Sequence, residues 1–260
     1  MLKNILFLGD SFCANIDLAD YMDMGSQQWQ GVAHGPAYPS LVARHYNLRL
    51  AGHGYGGKSW WYSRAQFMNQ LARQPGLLDQ IDAMVFCHTD SGRINSDNIY
   101  TSTWNQYNNR PADSYKDEED RQVAQAQAQW FKHLSDWNFQ EWAQQQWFKE
   151  ISQQWSHIKQ IHFHCFPDTI KYNHLLIGQR FSTSLIQISA GELTGTGPEI
   201  HHQMSHNDAR DNHLSAANNH VLAQVIINAL DNYEHKVQPL DLAKFNLSNT
   251  DNYRLLNPNW

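Results

Sequence analysis

The sequence lacks several features that mark large classes of proteins. Its 19 basic residues form no run and the net charge is −6, which argues against binding to a nucleic-acid backbone. No stretch approaches the ~20 consecutive apolar residues that a membrane-spanning helix needs. Only 17% of the residues are charged and 41% are hydrophobic, which excludes an intrinsically disordered polymer. The 260 residues therefore predict a soluble globular protein with a full core.

Cysteine is also scarce. Cys13, Cys87 and Cys165 are widely spaced, odd in number and free of any CxxC pairing, which argues against a disulfide framework or a structural zinc site. Cys87 and Cys165 end apolar runs, so we expect them to be buried. The opening MLKNILFLGDS leads into Gly-Asp-Ser instead of a cleavage site, so we expect no signal peptide and an unsecreted, cytoplasmic protein.

Short apolar runs alternate with helical patterns along the chain. Strands are expected at residues 4–8, 48–51, 82–88, 159–165 and 185–188, and helices at 39–46, 60–72, 118–134, 139–155 and 216–233. Such alternation predicts an α/β fold with a central parallel sheet of about five strands and helices on both faces. Ligands in these folds bind beyond the carboxyl ends of the strands, so site residues should follow strand ends.

The first chemical motif, Gly9-Asp10-Ser11, directly follows the first predicted strand. Glycine permits a tight exit, and the hydroxyl is then presented at a helix start, where the dipole favours an anion. A serine hydroxyl is a weak nucleophile unless a base lies within hydrogen-bond reach. The alternative is that Asp10 or Ser11 merely caps a helix.

His213 is the best candidate for such a base. It follows the last predicted strand and precedes Ser215, the expected N-cap of the last helix. Asp208 and Asp211 lie nearby, and either could orient the imidazole. The alternative is a surface histidine in a chain that contains 15 of them.

A glycine cluster at residues 52–57 follows the second predicted strand. It formally matches GxGxxG, which is typical of dinucleotide binding, but that motif belongs after a first strand. The other interpretation is that Gly57 lets its backbone N–H approach an oxyanion.

Together these motifs resemble those of the SGNH hydrolases, also called GDSL esterases. Residues 5–11 (ILFLGDS) are similar to the family's first motif, Gly57 to the oxyanion glycine of its second, and residues 212–215 (NHLS) to the segment with the base. The resemblance covers residues 4–233 and implies one flavodoxin-like domain over residues 1–260. Residues 91–155 then look like an insertion, in which Asn138 and Glu141 restart a helix. Residues 234–260 look like a tail that wraps the surface.

Two positions depart from the family's pattern. Its third motif, GxND, supplies an Asn donor to the oxyanion hole, and Thr89 stands at that position. Arg210 stands where the family has its acid, three residues before the histidine. Either Asp208 or Asp211 could be the acid, although Asp208 could reach the histidine with a less constrained backbone. Loss of one oxyanion donor slows turnover by roughly 10²–10³, so these departures predict a slow enzyme.

Other conspicuous residues receive simpler interpretations. Trp60 and Trp61 follow Gly57 and are expected to form an aromatic wall for substrate, with Asp10 and Asp90 as further binding residues. Five tryptophans follow helical spacing and are expected to pack in the core: Trp130, Trp137, Trp142, Trp147 and Trp155. Two groups of histidines suggest metal ligands: His162 with His164, and His201 with His202 and His206. Neither group offers a convincing set of ligands, so no metal is predicted.

The sequence thus predicts a serine hydrolase that cleaves carboxylic esters. Ser11 is the expected nucleophile and His213 the base, with an oxyanion hole formed by Ser11, Gly57 and Thr89. The resemblance implies small-molecule or glycan esters of acetyl or other short acyl groups, with no cofactor. The alternatives are a non-catalytic ligand- or carbohydrate-binding module on the same fold and a metal-dependent hydrolase.

Overall fold

The computed structural model of the chain is built on six parallel β-strands. It describes residues 2, 4–14, 36–48, 50–51, 54, 58–93, 117–193 and 213–249. The strands are β1 (Ile5–Gly9), β2 (Leu50–Ala51), β3 (Ala83–His88), β4 (Lys159–His164), β5 (Gln179–Ser184) and β6 (Val237–Gln238). Their order is β2-β1-β3-β4-β5-β6, and every pairing is parallel. The first five strands follow the flavodoxin-like order, which confirms the predicted α/β fold.

Helices cover both faces of this sheet. They are α1 (Tyr38–His45), α2 (Trp60–Arg73), α3 (Glu118–His133), α4 (Trp137–Gln154), α5 (Leu185–Gly191) and α6 (Ala216–Asp231). Helices α1 and α6 share one core with Phe7 and Val85, whereas α2 and α4 share the other with Leu6 and Met84. Because side chains alternate along a strand, the uninterrupted apolar runs of β1 and β3 supply both cores.

The fifth predicted strand is wrong. Residues 185–188 begin helix α5, and the strand before it is β5. Ser184 starts the helix through a capping box, in which the Gln187 side chain accepts from the Ser184 backbone N–H at 3.1 Å. A short apolar run has no periodicity that separates strand from helix, whereas the polar sequence QRFSTS of β5 gave no strand signal.

Helix α4 belongs to the core, although the prediction placed it within an insertion at 91–155. Its side chains Trp147, Phe148 and Ile151 pack in one core with residues of the sheet and of α2, so this helix belongs to the crossover from β3 to β4. Its N-cap is Asp136, whose carboxylate accepts from the Phe139 N–H at 3.0 Å, and not the expected Asn138. Residues 94–116 of the predicted insertion lie outside the described residues.

The tail after α6 adds a strand that the sequence did not predict. Strand β6 pairs with β5 at Arg180 and Phe181, and a 3-10 helix follows at Leu242–Lys244. A two-residue strand is too short to leave a periodic signal. Within the described ranges, every helix is too short or too polar to span a bilayer.

The turn into β5 generates a stability prediction. Gly178 has a φ of +80°, and a Cβ there would overlap the Gln160 carbonyl oxygen. Gly178→Ala should therefore lower the free energy of unfolding by more than about 2 kcal/mol, measured by urea titration. Gly76→Ala is the control, since a Cβ there meets nothing within 4 Å, and it should stay within about 0.5 kcal/mol of wild type. Equal losses in both variants would contradict this account.

Candidate functional site

The predicted nucleophile and base meet at the carboxyl edge of the sheet. Ser11 follows β1 and begins a 3-10 helix at Ser11–Cys13, while His213 lies just before α6. The His213 Nε2 atom is 2.8 Å from the Ser11 Oγ atom, although 202 positions separate the two residues in the chain. This is the distance at which a histidine can take the proton of a serine hydroxyl.

The exit from β1 requires glycine. A Cβ at Gly9 would lie 2.7 Å from the Cys87 Cβ and 2.8 Å from the Cys13 Cβ, closer than side-chain carbons approach. Any other residue would push β1 away from β3 at the strand end. Gly9 therefore keeps Ser11 directly above the sheet.

His213 has an unusual backbone conformation. Its φ is 63°, in the left-handed region that non-glycine residues rarely adopt. The imidazole packs on the Phe12 ring, with ring centroids 4.8 Å apart. The next residue, Leu214, is buried in the core beneath, and Ser215 caps α6 by accepting from the Asn218 N–H at 3.2 Å. The predicted N-cap is thus confirmed, and the histidine is held between a core residue and a helix start.

Asp10 is fully buried beneath Ser11. Its Oδ1 atom accepts from the Phe12 N–H and from the Cys165 thiol, each at 3.0 Å. Its Oδ2 atom lies 3.1 Å from Nη1 of Arg93, whose side chain is only 9% exposed. Both carboxylate oxygens thus face protein groups, and the substrate-binding role of Asp10 stays a prediction. The alternative that Asp10 caps the turn after β1 is confirmed.

The cysteines contribute to the same buried cluster. Cys13, Cys87 and Cys165 are all buried thiols, as predicted for the last two, and the Sγ atoms of Cys87 and Cys165 lie 3.2 Å apart. Burial raises the pKa of the Cys165 thiol well above its ordinary value, and the nearby Cys87 and Asp10 raise it further. Cys165 therefore stays protonated and serves as a hydrogen-bond donor to Asp10.

Part of the predicted oxyanion hole can be located. Thr89 is 2% exposed, and its Oγ1 atom has no hydrogen-bond partner in the described part of the chain. Its carbonyl oxygen accepts from the buried Gln144 side chain at 2.7 Å. Gly57 lies outside the described residues, but Gly54 donates its backbone N–H to the Cys13 carbonyl at 2.8 Å. Gly54, the one residue of the cluster that the structure describes, therefore contacts the turn that carries Ser11.

Two acidic residues follow neighbouring strands at this edge. Asp90 follows β3 and accepts from the Gly92 N–H at 2.7 Å, while Asp168 follows β4. Burial raises the pKa of Asp168 to about 7, and the negative charge of Asp90 contributes to the same shift. Sequence reasoning named Asp90 as a binding residue and missed Asp168, although both follow strand ends.

The tryptophans divide differently from the predictions. Trp60 is 8% exposed and packs in the α2/α4 core, whereas Trp61 is 48% exposed, and the role of either in substrate binding stays a prediction. Of the helical tryptophans, Trp147 and Trp155 are buried as predicted. Trp137 and Trp142 are about half exposed, at 44% and 55%, which contradicts a core role.

The strand histidines lie in the interior. The His162 Nδ1 atom is 3.0 Å from Nε2 of His88, and His164 bonds to Thr169 and Asn173 at 2.8 Å each. Burial lowers the pKa of His164 to about 4 and the pKa values of His88 and His162 well below the usual range. These rings are therefore neutral hydrogen-bonding members of the core. His201, His202 and His206 lie outside the described residues.

The remaining site residues are the predicted acids and an arginine that the sequence analysis missed. Asp208 and Asp211, the two candidates for the acid, lie outside the described residues. Arg93, which pairs with Asp10, was missed because nothing in its sequence context separates it from a surface arginine. The rule that site residues follow strand ends would have drawn attention to it, since it lies five residues beyond β3.

The raised pKa of Asp168 generates a pH prediction. The carboxyl ionises near its ordinary value of 3.8 when unfolded and near 7 when folded, so the folded state alone holds the proton between these values. Its contribution to stability is therefore lost as pH rises from about 4 to 7. Asp168→Asn should raise the Tm at pH 8 and change it little near pH 4. Asp79 is exposed, so the Tm of Asp79→Asn should equal that of wild type at both pH values. An unchanged Tm of Asp168→Asn at pH 8 would contradict the raised pKa of Asp168.

Comparison with known proteins identifies no relative. No protein-family model matches the chain, and neither the curated proteins nor the solved structures compared with it gave a match. The resemblance to SGNH hydrolases therefore stays a prediction that depends on the motifs alone. What the site can do follows from its geometry, in which the contact between Ser11 and His213 is central.

Proposed function

We propose that the chain is a serine hydrolase that cleaves carboxylic esters through an acyl-enzyme. The observation that carries the proposal is the 2.8 Å contact between His213 Nε2 and Ser11 Oγ. A serine, a histidine within hydrogen-bond reach and a helix start at a sheet edge are the parts that nucleophilic acyl transfer needs. The motif resemblance favours acetyl and other short acyl esters, including those on carbohydrate.

The reaction runs in two halves. Ser11 Oγ adds to the ester carbonyl carbon while His213 Nε2 takes the hydroxyl proton. The tetrahedral intermediate then breaks its bond to the leaving oxygen, His213 returns the proton to the departing alcohol, and an acyl-serine remains. Water, deprotonated by His213, attacks the acyl carbon, and the acid leaves with Ser11 restored. Asp208 or Asp211 would hold the imidazole tautomer throughout.

The negative charge that develops on the carbonyl oxygen needs fixed donors. In the proposed mechanism these are the backbone N–H groups of Ser11 and Gly57 and the hydroxyl of Thr89. The buried Oγ1 of Thr89 has no hydrogen-bond partner among the described residues, which supports this role, since a buried hydroxyl without a partner is otherwise costly. Gln144 holds the Thr89 backbone, so the hydroxyl has a defined position.

The first test is labelling with a fluorophosphonate together with hydrolysis of p-nitrophenyl acetate. Wild type should show both, and Ser11→Ala should lose labelling and at least about 10³-fold in turnover, because no other group can form the acyl intermediate. Ser152→Ala is the matched control, since the buried Ser152 hydroxyl has no hydrogen-bond partner within the described ranges. Turnover unchanged in Ser11→Ala, or abolished by a chelator, would contradict the proposal. Absent labelling would favour the binding module.

A second test concerns Thr89. Thr89→Val keeps the shape and removes the donor, so kcat should fall roughly 10- to 100-fold while KM changes less than about twofold. Thr89→Ser retains a hydroxyl and should recover most of the loss. Both constants are measured with p-nitrophenyl acetate. Equal kcat for wild type and Thr89→Val would mean that backbone groups alone bind the oxyanion.

A further inference from the structure

Glu192 joins the end of α5 to the start of α6. Both of its carboxylate oxygens lie 3.0 Å from the backbone nitrogen of Ser215, and Oε1 also accepts from the Ser215 hydroxyl at 2.8 Å. The side-chain amide of Asn218 donates to the same Oε1 atom. A carboxylate at a helix N-terminus satisfies donors that have no partner within the helix and interacts favourably with the helix dipole.

These contacts restrict the position of His213, because they lie only two residues away along the chain. Only Leu214 separates His213 from Ser215, and Leu214 is itself held by its buried side chain and by the Asn219 amide, which donates to its carbonyl at 3.2 Å. The left-handed φ of His213 occupies a narrow conformational well. With Ser215 fixed on one side and Phe12 packed on the ring, the imidazole has little freedom.

Glu192 is itself well anchored. Its backbone N–H donates to the Ile188 carbonyl at 3.1 Å, which ties it to α5 and so to β5. Asn218 exchanges two hydrogen bonds with the backbone of Asn246, at 2.7 and 3.0 Å, so the tail supports the same junction. The carboxylate also connects the two ends of the chain segment that carries Asp208 and Asp211.

We propose that Glu192 is a positioning residue that holds His213 against Ser11. The inference rests on the proposed function for its catalytic consequence, because it concerns the base of that reaction. Without the carboxylate, the N-terminus of α6 loses the side-chain hydrogen bonds that join it to the end of α5, two residues from His213. A displacement of about 1 Å at a catalytic group lowers turnover by roughly 10²-fold without any loss of substrate contacts.

The experiment compares Glu192→Ala and Glu192→Gln with Asp136→Ala. Asp136 also caps a helix through its carboxylate, but at α4 and without contact to His213, so it reports on cap loss alone. Glu192→Ala should lower kcat roughly 10²-fold with KM within about twofold. Glu192→Gln keeps one acceptor oxygen, so its kcat should lie between those of Glu192→Ala and wild type. Asp136→Ala removes one capping hydrogen bond, so it should lower the Tm and leave kcat unchanged.

A readout independent of catalysis separates the two proposals. The ¹⁵N resonances of the His213 ring report its hydrogen bond to Ser11, and they should move in Glu192→Ala while staying in place in Asp136→Ala. If wild type hydrolyses no ester but the resonances move, the proposed function fails and the positioning role stands. Unchanged His213 resonances in Glu192→Ala, or a kcat loss no greater than in Asp136→Ala, would overturn the positioning role.

Discussion

The buried carboxylate of Asp10 is the interaction on which the candidate site depends. A charge without access to solvent is stable only when it is paired and its oxygens are hydrogen-bonded. The partners of Asp10 come from three places: Phe12 in its own turn, Arg93 beyond β3 and Cys165 beyond β4. Strands β1, β3 and β4 are neighbours in the sheet, so one charge joins their carboxyl ends. Ser11 is the next residue, so the contacts of Asp10 also fix the position of Ser11.

The other half of the site is fixed from the opposite end of the chain. Helix α6 is joined to α1 where Asn219 accepts from the Tyr38 N–H at 3.0 Å and where the Tyr46 hydroxyl donates to Asp231 at 2.7 Å. Its N-terminus is held by Glu192, so both ends of the helix are fixed before His213 is considered. The contact between Ser11 and His213 therefore depends on the packing of the sheet with both α1 and α6.

Local patterns predicted the parts of this arrangement that depend on local physics. The apolar runs of β1 and β3 revealed strands buried on both faces, and Gly-Asp-Ser after β1 predicted that Ser11 lies at the carboxyl edge of the sheet. The contacts of Asp10 with Arg93 and Cys165 could not be predicted, because they join residues 83 and 155 positions from Asp10 and neither partner has a distinctive motif. The same holds for β5, whose polar sequence becomes a strand only because β4 and β6 flank it. Tertiary context overrides local preference at such positions.

The histidines show why burial, and not residue type, decides which of them can do chemistry. His88 stacks on His162 and lies tilted against His164 inside the α2/α4 face of the sheet, where burial holds the pKa values of all three rings below the usual range. A ring that stays neutral at every physiological pH can share hydrogen bonds but cannot exchange protons with a substrate. His213 instead lies half-buried at the edge, with one ring nitrogen on the Ser11 hydroxyl. The fold thus uses one residue type in two ways: as uncharged packing within the sheet, and at its carboxyl edge as an imidazole hydrogen-bonded to a serine hydroxyl.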